Sequence, residues 1–228
     1  ETNVTGLLNV LHSCKKAGIK RFIHASTSSV YGVSEEPNVK EDHALVPLTL
    51  YNKYKALTEP FLLKHADTNF ECVIIRPATV CGYSPRQRLD VVVNILTNLA
   101  YHKRKITVFG GKQLRPNIHI ADMVESYVSV LRAPDHKVTG RIFNVGYENH
   151  SVRELAETVK TVVGKDVELV TSLTDDNRSY HISSKKIQDE LGFKPTHSIR
   201  DAIVDLRNAF SKGNISQSFI LANSIYPK

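Results

Sequence analysis

The sequence predicts an α/β fold, and three observations predict it. Two apolar runs, Phe22-Ile23-His24-Ala25 and Phe70-Glu71-Cys72-Val73-Ile74-Ile75-Arg76, lack the polar alternation of a half-exposed strand and read as strands of a covered sheet. Segments of helical periodicity alternate with such strands along the chain. The length of 228 residues and a hydrophobic share of 41% suffice for one large domain, or one domain with a small lobe.

Taken in order, Val4, Leu7, Leu8 and Leu11 give residues 2–17 one apolar face, and Gly18 ends that helix after Lys15 and Lys16. Strand 21–25 follows. Two prolines and several charges make 32–50 an exposed connection. A helix over 51–65 contains Pro60, which is expected to bend or split it. Strand 70–76 stops at Pro77, residues 78–90 form a loop, and 89–100 form an apolar helix. A short strand, 106–109, ends at Gly110-Gly111. Helix 119–132 carries Ile120, Met123, Val124, Tyr127, Val128 and Leu131 on its apolar side, and strand 141–146 follows. Ser151 and Glu154 form a capping box for a helix reaching Val163. The remaining elements are a strand at 167–170, a short helix at 184–191 and a final helix at 199–211 introduced by Ser198. No internal repeat or low-complexity linker is visible.

Composition narrows the function classes. The formal charge of +7 comes from 30 Lys and Arg against 23 Asp and Glu. These basic residues are scattered, without Trp or a basic tail, so a phosphate-bearing small molecule suits them as well as nucleic acid does. No run approaches transmembrane length. Residues 1–18 lack the basic front and apolar centre of a secretory signal. Cys14, Cys72 and Cys81 show no metal-binding spacing and cannot all pair; Cys14 and Cys72 read as core residues of a protein from a reducing compartment, and a cytoplasmic location is expected.

The chemistry-bearing pattern begins where strand 21–25 runs into Ser26, Thr27, Ser28 and Ser29. Open α/β sheets bind ligands beyond the carboxyl ends of their strands. Tyr51 and Lys55 then stand four positions apart, on one helical face. A nearby ammonium favours the phenolate and draws a group that ordinarily titrates near 10 towards acid/base work at neutral pH. With Thr27 as a second hydroxyl, the trio suits alcohol–carbonyl interconversion. The hydride in such a step requires a nicotinamide.

Here the chain resembles the extended short-chain dehydrogenases/reductases, in their nucleotide-sugar epimerase/dehydratase branch. SSVYG at 28–32, IIRPATVCG at 74–82, RPNIHIADM at 115–123, FNVG at 143–146 and YHISSKKIQDELGFKP at 180–195 occur in that family's order. The resemblance implies a Rossmann-like doubly wound parallel sheet with a smaller α/β substrate lobe. It allots 1–77 and the return strand 141–146 mainly to the cofactor domain, and 78–140 with 150–228 mainly to the substrate lobe. It implies Tyr51 as general acid/base, Lys55 as its electrostatic partner and a nicotinamide-ribose ligand, and Thr27 as the assisting hydroxyl at the substrate. Asn3, Ser26 and Pro77 join Tyr51 and Lys55 on the cofactor side, although Asn3 equally suits simple helix capping. Arg115 is expected at the substrate diphosphate. Arg88 and Arg178 are weaker candidates, each readable as surface charge. No residue is expected to bind a metal.

The implied function is NAD-dependent epimerisation of a nucleotide-diphosphate sugar through a transient keto intermediate, with NADP as the alternative cofactor. A homodimer through helices 2–17 and 51–65 is expected, though their apolar positions equally suit covering the sheet. Neither a membrane nor nucleic acid is an expected partner. Two departures matter. Ser28 and Ser29 stand where the family's dehydratases carry an acidic pair, which favours epimerisation or simple redox over water elimination. No glycine-rich phosphate loop precedes Thr27, so the resemblance implies that the first strands and the phosphate cradle lie upstream of Glu1. The rival readings are an NAD(P)-dependent nucleotide-sugar reductase or dehydrogenase and a nonenzymatic nucleotide-binding scaffold.

Overall fold

A computed structural model describes residues 1–174 and 179–216. Of these, Glu1–Ala78, Val124–Gly146 and Tyr180–Lys194 form one compact unit, and the remainder form a second.

The first unit is built on a parallel sheet of β1 (Arg21–Ala25), β2 (Glu71–Pro77) and β3 (Arg141–Val145), in the order β1-β2-β3. Ala25 pairs with Ile75 and Pro77 with Val145, so the three strands end along one edge. The central strand is buried from Glu71 to Arg76, which explains its unbroken apolar run. Leu11, Leu62, Phe70 and Cys72 form the core beneath α1 (Leu7–Lys16) and α2 (Leu50–Leu63).

Two expectations in this unit are corrected. Residues Thr2–Gly6 form a π-helical turn rather than the start of an α-helix, with the Gly6 N–H donating to the Glu1 carbonyl five residues back. Val4, Thr5 and Gly6 are all weak α-helix formers. Of the two effects expected of Pro60, splitting does not occur, since α2 runs through it to Leu63. Residues 124–140 and 180–194 also pack with this unit rather than with the expected substrate lobe. Arg21 Nη1 donates to the carbonyls of Val130, Leu131 and Ala133, each at 2.8 Å, where α3 (Ile120–Arg132) ends. Val39 bridges Ile182, and Ser184 Oγ accepts from the Gly146 N–H at 2.8 Å. The short helices α4 (Asp135–Val138) and α5 (Lys185–Leu191) complete the unit.

In the second unit, β4 (Thr79–Cys81) pairs parallel with β5 (Leu114–His119), which pairs antiparallel with β6 (Glu148–Ser151). β7 (Lys105–Phe109) and β8 (Glu168–Ser172) make a separate parallel pair. The helix α6 (Val92–Lys103), buried on all sides from Val93 to Ala100, and the amphipathic helices α7 (Val152–Val163) and α8 (Ile199–Ser211) enclose a core that includes Val93, Leu96, Ile106, Leu155, Val159 and Ile203. Ser151 and Glu154 form the expected capping box, and Ser198 with Asp201 forms another. Strand β5 was not anticipated, because Pro116 argues against a strand. Its parallel partner pairs only from Asn117 onward, so Pro116 faces β6 alone and no ladder bond is lost.

Candidate active site

The carboxyl end of β1 is where the hydroxyl run meets α2. The backbone of Thr27 is extended and caps a 3-10 turn, Ser28–Tyr31, by accepting from the Ser29 N–H at 3.3 Å. Gly32 closes that turn at φ 74°. A Cβ there would lie 2.0 Å from the Val46 carbonyl oxygen, so the SSVYG run requires its glycine.

Two hydrogen-bonded links join this turn to α2. Thr27 Oγ1 lies 2.8 Å from Ser29 Oγ, and Ser29 Oγ donates at 2.8 Å to Oδ1 of the buried Asn52. Lys55 Nζ donates to the Ala25 carbonyl at 2.7 Å. The same ammonium sits 6.0 Å from the centroid of the Tyr51 ring, while Tyr51 is 49% exposed. Thr27 and Lys55 therefore meet at the mouth of β1, and the Tyr51 ring lies beside Lys55. Burial draws the Lys55 ammonium below its usual titration range, and the Glu59 carboxylate opposes that. Beside it, burial and then the Lys55 charge push the His24 imidazole down to about 4, so it is neutral at ordinary pH.

Beneath the mouth lies a buried polar network. Glu59 and Arg76 are 1% and 3% exposed, and their closest approach is 2.5 Å, from Arg76 Nη2 to Glu59 Oε2. Ser26, expected on the cofactor side, donates its hydroxyl to Glu59. Arg76 Nη1 also donates to Tyr31 Oη at 2.6 Å, and Tyr31 donates to Asn144 Oδ1 at 2.7 Å. Burial pushes the Tyr31 phenol up to about 12, although Arg76 and Asn144 counter it. Tyr31 is thus a structural hydroxyl. Sequence reasoning missed Asn52 and Glu59. Glu59 had a usable signal, since it repeats the spacing of Tyr51 to Lys55 one further turn along.

The other expected residues are placed as follows. Asn3 lies in the π-helical turn, which packs against α2, and no side chain caps that turn. Pro77 ends β2. In the second unit, Arg115 lies on β5 directly opposite His150 on β6, and its Nη1 donates to the Leu114 carbonyl at 3.0 Å. Arg88 is forked onto Asp90 at 2.9 and 3.0 Å. Arg178 lies outside the described residues. Among the described residues, no group of three or more His, Cys, Asp or Glu could hold a metal ion, and no helix is long and apolar enough to cross a membrane.

Known proteins resemble this chain in sequence and in fold. UDP-glucose 4-epimerase of Azospirillum brasilense is 28% identical over 92% of this chain and 65% of its own length. The dTDP-D-glucose 4,6-dehydratase of Mus musculus is 30% identical over 85% of this chain and 56% of its own length. The chain thus spans less than two-thirds of either curated relative. The solved UDP-glucose 4-epimerase of Thermotoga maritima, with UDP-glucose, superposes with a TM-score of 0.83 at 25% identity, covering 94% of this chain and 71% of that one. The fold is accordingly Rossmann-like α/β with parallel sheets. The profile of the NAD dependent epimerase/dehydratase family matches residues 1–146, the stretch that holds the whole β1 mouth, and the chain belongs to that family.

Proposed function

We propose that the protein is an NAD-dependent enzyme that epimerises a nucleotide-diphosphate sugar through a transient keto sugar. The observation that carries this reading is the meeting of Thr27 and Lys55 at the carboxyl end of β1, with the Tyr51 ring beside Lys55. The donor set there fits a nicotinamide ribose. An ammonium has three N–H donors, and Ala25 takes one from Lys55. Asn3, Ser26 and Pro77 complete the cofactor side. When bound, the nicotinamide supplies the hydride chemistry that no side chain can.

The chain's own residues manage the proton. Tyr51 takes it from the sugar hydroxyl and later returns it. The Lys55 charge favours the phenolate form of Tyr51, and Thr27 shares a hydrogen bond with the same sugar oxygen. Ser28 and Ser29 hold hydroxyls where water elimination would need carboxyl groups, which favours epimerisation over dehydration. Arg115 offers planar donors suited to a diphosphate. Arg88 serves the same substrate by exchanging its Asp90 partner for a phosphate oxygen, and Arg178 is assigned there as well. The relatives named for UDP-glucose and dTDP-D-glucose support a nucleotide-diphosphate sugar as substrate.

The assembly proposed is a homodimer through α1 and α2. Leu50, Tyr54, Leu57 and Phe61 recur at helical spacing along α2 and are all exposed, Leu50 at 69% and Leu57 at 63%. Free thiols at Cys14, Cys72 and Cys81 suit a reducing, cytoplasmic setting. The test is to incubate the intact protein with a panel of nucleotide-diphosphate sugars and NAD, following products by NMR and the cofactor by its reduced-nicotinamide absorbance. An epimer formed without net cofactor change is expected. Stoichiometric reduction or oxidation of the cofactor establishes the dehydrogenase instead. Binding without any product establishes the nonenzymatic scaffold.

A further inference from the structure

Three side chains recur every fourth residue on one side of α2: Tyr51, Lys55 and Glu59. Lys55 meets the mouth of β1 with the Tyr51 ring beside it, while Glu59 is buried beneath. Glu59 binds both strands of the sheet edge, taking the Ser26 hydroxyl just beyond β1 and the Arg76 fork from β2 at 2.5, 3.1 and 3.2 Å. We propose that Glu59 is the positioning residue of this site: through Arg76 and Ser26 it fixes α2 against the sheet edge, and it holds Ser26 directly beside Ala25, the residue whose carbonyl takes the Lys55 ammonium. This rests on the reading of Tyr51 and Lys55 as the proton-exchanging pair.

The charges around Lys55 make the role specific. On α2 its ammonium lies 6.0 Å from the centroid of the Tyr51 ring and is favoured by the Glu59 charge, and on β1 it helps hold His24 neutral. Glu59 faces Arg76 from β2, and Arg76 in turn faces Tyr31 and the Glu41 carbonyl. One buried carboxylate thus lies among two cations, Arg76 and Lys55. A neutral amide at position 59 would keep the shape but remove the carboxylate nearest Arg76, leaving it the Glu41 charge, and would take from the half-buried Lys55 the negative charge that opposes its desolvation. The Lys55 titration would then fall, and with it the positive charge that favours the Tyr51 phenolate.

The measurement is the titration of Lys55 in the intact protein, followed by NMR of isotopically methylated lysine and assigned by loss of the signal in Lys55→Arg. It is compared in wild type, Glu59→Asp, Glu59→Gln and the double variant Glu59→Gln/Arg76→Met, whose fold no longer buries an unpaired guanidinium. The expected result is a downward shift of about one pH unit or more in Glu59→Gln, a smaller downward shift in the double variant, which also loses the Arg76 charge, retention in Glu59→Asp, and a matching inward move of the alkaline limb of turnover. An unchanged Lys55 titration in either folded Gln variant overturns the proposal. So does failure of both Gln variants to fold, because Glu59 would then act through the fold alone. Full turnover in Tyr51→Phe would sink the underlying reading instead, without touching the Lys55 titration.

Discussion

His24 shows how one buried side chain sets a pH limit. Its imidazole is 6% exposed, and Nε2 meets no partner among the described residues. Folded His24 stays neutral until about pH 4, whereas in the unfolded chain it takes a proton near 6.5. The unfolded state therefore binds more protons in that window, and stability falls as pH falls through it, by roughly 3 kcal/mol in all. Denaturant midpoints taken from neutral pH down to about 4 should drop in wild type and drop less in His24→Gln. Equal slopes in the two proteins would contradict the assignment. Arg115 carries a second prediction at this scale. Its replacement by Ala should weaken nucleotide-sugar binding about tenfold or more, the worth of a charged hydrogen bond, as calorimetry would report. Thr27, Tyr51 and Lys55 were legible in the sequence because their signal is local, a strand end and a one-turn spacing. Asn52 and Arg76 were not legible as partners, since their hydrogen bonds join segments up to dozens of residues apart.

Among the elements, α2 departs furthest from its own propensity. Pro60 removes a helical N–H, which ordinarily costs about 3 kcal/mol in a helix interior. The bonds from Lys55 to Ala25 and from Arg76 and Ser26 to Glu59 hold the inner face of the helix over the turn that leads into the proline. Helix starts with a side-chain cap were readable, because a cap is a short-range pattern. Ser198 Oγ accepts from the Asp201 N–H at 3.2 Å, and Asp201 returns a bond to the Ser198 N–H at 2.8 Å. Ser198→Ala should lower stability by about 1 kcal/mol in chemical denaturation, and no loss would argue that α8 is held by packing alone. Strands β4, β5 and β6 escaped sequence reading because they are short and contain Pro116 or polar residues. Their pairing exists only once the chain has folded.

At the scale of the whole molecule, the α/β class followed from alternation, but the division of the chain did not. Residues 124–140 and 180–194 join the first unit through Arg21, Val39 and Gly146, contacts that no sequence period announces. The exposed stripe on α2 predicts assembly. Leu57→Lys should convert a dimer to a monomer in sedimentation velocity while the circular dichroism stays the same, and a wild-type monomer would refute the interface. The central claim is that the phenol of Tyr51 exchanges the substrate proton at the mouth of β1. Its most direct test is turnover of the nucleotide sugar by Tyr51→Phe, with the melting temperature measured alongside. A fall of about a hundredfold or more is expected in a protein that melts like wild type; turnover within a few-fold of wild type would rule out the Tyr51 phenol as the proton-exchanging group.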